Sequence, residues 1–174
     1  MTPNPNALKF ITNVNVINHD RVSLDSEEKC ASVPLAKTIF SLDGVTQVHF
    51  FENVITVTQS GNEDWGALED QIKQVMVELL PAHDPEFHTV PETAARVDMG
   101  PEVGRINDIL DRTVRPALQG DGGDLEVLGL EDDRLFVRYQ GACGGCPSAS
   151  AGTLQAIEGI LKDEFNPNIE VHAM

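Results

Sequence analysis

The residues best suited to chemistry in this 174-residue sequence are two cysteines at CxxC spacing, Cys143 and Cys146, in the segment GACGGCP at 141–147. Cysteines at this spacing can point both sulfur atoms at one centre, because the two residues between them permit a tight turn. Both of those residues are glycine, so the turn accepts positive φ angles and lets backbone N–H groups approach the sulfurs. Pro147 suits the first position of a helix, and we expect the thiols to lie at the positive end of that helix, which favours thiolates.

The number of sulfur donors limits what one chain can hold. A closed tetrahedral metal site, or a four-iron cluster held by cysteine, needs about four ligands. The third cysteine, Cys30, is distant in the sequence, and we predict that it is a small hydrophobic residue of a core. The economical way to complete four ligands is a second copy of the chain that contributes its own Cys143 and Cys146. A site divided between two chains can open and release what it holds.

The residues by themselves leave two other interpretations of the CxxC open. One is a thiol-disulfide oxidoreductase, in which one cysteine attacks a disulfide and the other resolves the mixed intermediate. Against it, the CxxC follows a predicted hairpin rather than a crossover, and no aromatic residue directly precedes Cys143. The other is a zinc-stabilised dimerisation module, since thiolates bind zinc as well as iron.

The charge balance excludes several kinds of partner. Aspartate and glutamate outnumber lysine and arginine by 28 to 12, for a formal net charge of −16 at pH 7. Such a chain repels phosphate backbones and anionic lipid headgroups, so we expect neither nucleic acid nor a membrane as a partner. No apolar run approaches the ~20 residues of a membrane span, and the opening MTPNPNALKF does not resemble a signal peptide. Three cysteines fit a reducing compartment, and we therefore expect a cytoplasmic protein.

The element pattern predicts two small α+β domains, residues 1–80 and 103–174, joined by a linker at 81–102. The linker is proline-rich, lacks helical or strand periodicity, and should leave His83 and His88 exposed. Alternation and helical spacing predict the order β-β-α-β-β-α before the linker and α-β-β-α-β after it, with helices on one face of each sheet. The CxxC falls between the second hairpin and the last helix. Asp121 and Asp124 belong to the DGGD segment at 121–124, which we predict to be a turn that leads into the first strand of the second domain. We expect them to shape this turn rather than to bind a cation.

The motifs of both halves resemble those of one family. RPALQ at 115–119, DGGD at 121–124 and GACGGCP closely resemble the C-terminal domain of NifU-like (Nfu-type) iron-sulfur cluster scaffold proteins. TPNPNALKF at 2–10, with PLAKTIFSLDGV and NVITVTQ further on, resembles the N-terminal domain found in the same proteins. The two matches occur in the family's order, and only the linker is unmatched.

The resemblance implies a non-enzymatic carrier, because such a scaffold makes and breaks no bonds of a substrate. It implies that Cys143 and Cys146 are the ligands of a [4Fe-4S] cluster shared between two chains, with a [2Fe-2S] form left open. The implied partners are apo iron-sulfur proteins and the cluster assembly machinery, and the cluster-loaded form is expected to be a homodimer. By analogy, the N-terminal domain recognises partners.

Overall fold

The structure, a computed structural model, describes residues 2, 4–19, 21–62, 64–88, 100–143 and 149–174. The chain divides into two compact units, residues 1–91 and 92–174, which are called the first and second domains below. Each combines a small sheet with helices, so the prediction of two α+β domains is confirmed. Within the described ranges, no helix has the length and apolarity needed to cross a membrane.

The first domain is built on a four-stranded antiparallel sheet. Its strands are β1 (Ala7–Ile11), β2 (Val22–Leu24), β3 (Val45–Phe51) and β4 (Val54–Gln59), in the spatial order β1-β4-β3-β2. The alternating pattern that predicted a strand as far as Val16 ends at Ile11. The chain leaves the ladder at Thr12 and crosses the β3-β4 turn, where the Val16 N–H donates to Glu52 O at 2.7 Å.

Helices pack on one face of this sheet and enclose the core. They are α1 (Glu27–Cys30), α2 (Pro34–Phe40) and α3 (Trp65–Leu79). The Asp64 carboxylate caps α3 by accepting a hydrogen bond from Gly66 N at 2.8 Å. Cys30 is fully buried in this core, as predicted, and burial raises the pKa of its thiol to about 11. The largest buried members of the cluster are Ile17, Leu24, Leu35, Ile39, Phe50, Ile55 and Ile72.

Residues 81–88, assigned to the linker from the sequence, lie against the first domain. Phe87 is only 8% exposed and belongs to the core, and its ring meets that of Phe50 edge-on at 5.6 Å. His83, expected to be exposed, stacks on Phe50 and donates to Val16 O at 2.7 Å. Proline content predicted an extended chain here, but Leu80–Ala82 is a short 3-10 helix and the Phe87 N–H donates to Asp84 O in a turn. Composition also does not report that one aromatic side chain in the segment is buried. Residues 89–99 of the predicted linker lie outside the described part of the chain.

The second domain places a three-stranded sheet beneath three helices. Its elements are α4 (Gly100–Thr113), α5 (Arg115–Gly120), β5 (Gly123–Glu131), β6 (Arg134–Gly141), α6 (Ala149–Glu164) and β7 (Glu170–Ala173). The order is β5-β6-β7, with β5 antiparallel and β7 parallel to β6. The single helix predicted through Leu118 is two helices, because Pro116 has no N–H to continue the preceding one. The fully buried core side chains include Ile106, Leu110, Leu125, Leu135, Ile157 and Leu161.

Candidate functional site

Cys143 lies just beyond the end of β6 in the second domain. Its side chain is 8% exposed and belongs to the core cluster of that domain. Its backbone N–H donates to Gln140 O at 3.3 Å, and the N–H of the preceding Ala142 donates to Gly122 O at 3.0 Å. These bonds fold the chain into a turn that ends with the Cys143 side chain beside the start of β5.

Cys146, the second predicted ligand, lies outside the described residues, as do Pro147 and the two glycines of the CxxC. The structure therefore places one half of the predicted pair. The described chain resumes at Ala149, where α6 begins. The hairpin predicted before the CxxC is formed by β5 and β6, and the helix predicted after it is α6.

Gly123, the first residue of β5, lies in direct contact with Cys143. A Cβ atom at Gly123 would lie 2.3 Å from Cys143 Sγ and 2.7 Å from its backbone nitrogen. Real Cβ atoms essentially never come so close to another atom, so a hydrogen is all that fits at this position. Gly123 is also the register partner of Gly141, which opens the GACGGCP segment. Gly123 of the DGGD motif and Cys143 of the CxxC motif are therefore in direct contact, although they are far apart in the sequence.

A buried charged pair holds the start of β5 in place. Arg115 Nε lies 3.6 Å from Asp124 Oδ1, and the two side chains are 4% and 0% exposed. The other oxygen of Asp124 accepts a hydrogen bond from Gln119 Nε2 at 3.1 Å, and Oδ1 accepts from Leu125 N at 2.7 Å. Because a buried carboxylate needs both a counter-charge and hydrogen bonds, this set of donors satisfies Asp124. The expectation that Asp124 shapes the fold agrees with these contacts.

Arg115 also ties the two helices before β5 together. Its Nη1 donates to Asp111 Oδ1 at 2.5 Å and its Nη2 donates to Asn107 Oδ1 at 2.7 Å, both on α4. The RPALQ motif therefore connects α4 to the residue that follows Gly123. Sequence reasoning recognised the motif but not this role. The available signal was an arginine directly before a proline, a few residues ahead of an acidic turn.

His49 has a buried, hydrogen-bonded environment within the sheet of the first domain. His49 is buried in β3, hydrogen bonded through Nδ1 to Ser23 Oγ at 2.7 Å. Burial, and then the charge of Arg21, lowers the pKa of His49 to about 4. Among the described residues, no group of three or more histidine, cysteine or acidic side chains is arranged to hold a metal ion.

The chain matches two family models. Residues 1–83 match the model described as "Scaffold protein Nfu/NifU N terminal" and residues 106–172 match the "NifU-like domain". It is 35% identical to "NifU-like protein 5, mitochondrial" of Arabidopsis thaliana, over 92% of this chain and 61% of that protein. It is 32% identical to "NFU1 iron-sulfur cluster scaffold homolog, mitochondrial" of Homo sapiens, over 97% of this chain and 67% of that protein. The solution NMR structure of a NifU-like protein from Saccharomyces cerevisiae is 21% identical, with a TM-score of 0.45 over 52% of this chain and 81% of that one.

The relatives correct the predicted localisation. Both are named as mitochondrial proteins, so the cytoplasmic localisation expected from the sequence is wrong and the relatives point to mitochondria. The small number of cysteines indicated a reducing compartment, and this property does not distinguish the cytoplasm from the interior of a mitochondrion.

The chain spans 61% of the length of the Arabidopsis relative, so that relative is the longer protein.

The family matches cover both domains and not only the segment around the CxxC. The two family models match in sequence order and fall on the two domains of the structure. Gly123, Cys143 and the Arg115–Asp124 pair all lie within the second match. The chain therefore belongs to the Nfu-type family of NifU-like proteins, with an Nfu N-terminal domain followed by a NifU-like domain.

Proposed function

We propose that this chain is a carrier of iron-sulfur clusters that receives a cluster, holds it through cysteine thiolates and delivers it to apo-proteins. The observation that carries the proposal is the placement of Cys143 against Gly123 inside a NifU-like domain. The name of the human relative, an iron-sulfur cluster scaffold homolog, supports the same role. The cluster is cargo here rather than a resident cofactor, because a carrier must give it up.

The cargo is a [4Fe-4S] cluster held by Cys143 and Cys146 of two copies of the chain. A four-iron cluster takes about four cysteine ligands, and one CxxC supplies half of them. The loaded form is accordingly a homodimer. The buried position of Cys143 supports retention, because the surrounding apolar side chains limit the access of water to the bound sulfur and iron.

Delivery is a ligand exchange and needs no catalytic residue. The thiolates of a recipient replace those of Cys143 and Cys146 one at a time, while the iron and sulfide of the cluster keep their oxidation states. The number of iron-sulfur bonds is conserved, and the carrier leaves as the thiol or thiolate form. The partners are therefore apo iron-sulfur proteins, and the assembly machinery that loads the carrier.

Anaerobic reconstitution with iron and sulfide tests the proposal. We expect broad absorption at the blue end of the visible range, four irons for every two chains, and a mass in solution that doubles on loading. Cys143→Ser and Cys146→Ser should each abolish loading and dimerisation together. Cys30→Ser is the matched control, since Cys30 lies in the core of the other domain, and it should retain both.

Other outcomes would identify the remaining interpretations of the CxxC. Two irons per dimer would indicate a [2Fe-2S] cargo. Stoichiometric zinc with no uptake of iron would replace the carrier by a zinc-stabilised dimer. Rapid reduction of a protein disulfide by the cluster-free chain, lost in both CxxC variants, would favour an oxidoreductase.

A further inference from the structure

Glu126 on β5 and Arg138 on β6 lie opposite each other, on the face of the second domain's sheet that does not carry its core. They are register partners, and their neighbours Leu125, Val127 and Val137 are buried in the core. Because successive residues of a strand point to opposite faces, the two charged side chains lie on the other side of the sheet. They are 36% and 43% exposed, so a second molecule can reach both.

The two charges are only loosely paired within one chain. Arg138 Nη1 lies 3.9 Å from Glu126 Oε2, which is longer than a hydrogen bond. The same oxygen of Glu126 accepts a hydrogen bond from Gln140 Nε2 at 2.9 Å, on the side of the strand that leads to Cys143. A guanidinium has five N–H donors and a carboxylate has about four acceptor positions, so each group can take a further partner of opposite charge.

This pair lies close to the candidate cluster ligand. The Cys143 N–H donates to Gln140 O at 3.3 Å, and Arg138 precedes Gln140 by two residues, about 7 Å along the strand. A protein–protein interface of ordinary size buries about 800 Å² on each partner, which is a patch of about 16 Å radius if it is round. A patch of that size around Cys143 reaches both Glu126 and Arg138.

Arg138 is the accessible cation near Cys143 in the described part of the second domain. Arg134 begins β6, about 23 Å along the strand from its last residue. The C-terminal end of α6 lies at that same far end of the hairpin, since Asn166 Nδ2 donates to Asp133 Oδ1 at 2.7 Å. The remaining accessible cations of the domain pair with residues near that end of α6, and they are Arg105, Arg112 and Lys162.

We infer that this surface is the contact between two copies of the chain in the loaded carrier, with Glu126 of each chain paired to Arg138 of the partner subunit. The inference rests on the proposed function, because the shared cluster is what brings the two Cys143 turns together. Residues 103–174 carry twelve acidic side chains and six basic ones, and a cluster held by thiolates is itself anionic, so two copies repel each other unless cations lie at the contact. A patch with one anion beside one cation is complementary to itself, as a two-fold interface requires.

Charge reversal tests the pairing between chains. In Glu126→Arg and in Arg138→Glu, like charges face each other at both contacts of the two-fold interface. The protein concentration at which half of the loaded carrier is dimeric should rise about tenfold in each variant, the effect of two lost surface ion pairs. An equal mixture of the two variants should recover wild-type dimerisation and iron content, because every contact in the heterodimer again joins opposite charges. The variants differ in mass, so native mass spectrometry distinguishes the heterodimer from both homodimers.

The double variant Glu126→Arg/Arg138→Glu separates pairing between chains from pairing within one chain. Either kind of pairing is restored in the double variant, whereas only pairing between chains is restored in the mixture of single variants. Recovery in the double variant alone would overturn the inference. Wild-type dimerisation of both single variants would overturn it as well.

Glu131→Arg and Arg134→Glu are the matched controls. They reverse the same charges in another pair of register partners, at the opposite end of the same hairpin. Both should dimerise and take up iron as the wild type does, alone or mixed. If they reproduce the behaviour of the variants at positions 126 and 138, the overall charge and not a contact is responsible, and the inference is wrong.

A second measurement does not require a reversed charge. Arg138→Gln keeps a polar side chain and removes only the charge, so the loaded wild type should dimerise more tightly than this variant at low ionic strength. The difference should shrink as salt is added, because salt screens an exposed ion pair. Arg134→Gln should show no such difference, and equal dimerisation of Arg138→Gln and the wild type would contradict the inference. Failure of the proposed function is distinguishable, because the wild-type chain itself would then take up no iron, and the inference would fall with it.

Discussion

Gly123 and Cys143 are in contact across the end of the β5-β6 ladder, and the contact leaves room for a hydrogen atom but not for a side chain. The sulfur would lie 2.3 Å from a Cβ atom at Gly123. Three atoms of Cys143, including the backbone nitrogen, would meet that carbon within 3 Å, so a shift of the sulfur alone would not relieve the overlap. The position of the thiol therefore depends on the absence of a side chain opposite it.

Gly123→Ala should displace Cys143 and reduce iron loading. Overpacking of this kind costs about 1–3 kcal/mol of unfolding free energy. Gly129→Ala is the matched control in the same strand, since a Cβ atom there meets nothing within 4 Å, and its effect should stay within about 0.5 kcal/mol. Chemical denaturation and iron content measure both variants. Equal stability and equal iron content of Gly123→Ala and Gly129→Ala would show that the close contact does not position the thiol.

Arg115→Gln should destabilise the second domain strongly, because it leaves the fully buried carboxylate of Asp124 without its counter-charge. Removing one partner of a buried ion pair costs about 3–5 kcal/mol. Arg112→Gln is the matched control, since Arg112 pairs with Glu164 at the surface, where such pairs contribute about 0–1 kcal/mol. Hydrogen exchange of the β5 amides would measure the difference, and protection lost equally in both variants would contradict it.

The first domain should become less stable in mild acid because of His49. Its pKa is about 4 when folded and about 6.5 when unfolded, so the unfolded chain binds more protons between these values. The unfolding free energy should therefore fall as the pH falls from 6.5 to 4, by about 3 kcal/mol in all.

His49→Asn should flatten that pH dependence, because asparagine can replace the hydrogen bond to Ser23 but does not titrate in this range. The control is His172→Asn, which changes an exposed histidine of β7 in the second domain and should leave the slope as it is. The fluorescence of Trp65, the one tryptophan, follows unfolding of the first domain in urea at each pH. If the pH dependence of the unfolding free energy persists in His49→Asn, another titratable group causes it.

Phe87→Ala tests the assignment of residues 81–88 to the first domain. Truncation of a buried phenylalanine costs about 3–5 kcal/mol, and Phe87 is only 8% exposed. His88→Ala, at the exposed neighbouring position, should cost less than about 0.5 kcal/mol. Both are measured by the urea midpoint of Trp65 fluorescence. A small effect of Phe87→Ala on the urea midpoint would show that residues 81–88 belong to the linker and not to the first domain.

Local patterns in the sequence were sufficient for the fold class and most elements. Strand alternation in β3, β4 and β6 and helical spacing in α3 and α6 are properties of neighbouring residues, so they can be recognised without the tertiary structure. The same holds for the CxxC, whose spacing predicted a sulfur ligand pair. The predicted ends of elements were less accurate, as at Ile11 and Pro116, because a hydrogen bond or a missing donor, rather than hydrophobicity, decides where an element stops.

The sequence by itself determined that the chain carries two cysteines at CxxC spacing, between a predicted hairpin and a predicted helix. Only the tertiary structure decided which residues lie beside Cys143 and at the start of β5: Gly123 is in contact with Cys143, and Arg115 pairs with Asp124. The physical reason is that strand register and helix packing bring together residues that are separated along the chain. No periodicity or composition reports a contact of that kind, because it depends on where the backbone passes and not on the residue types alone.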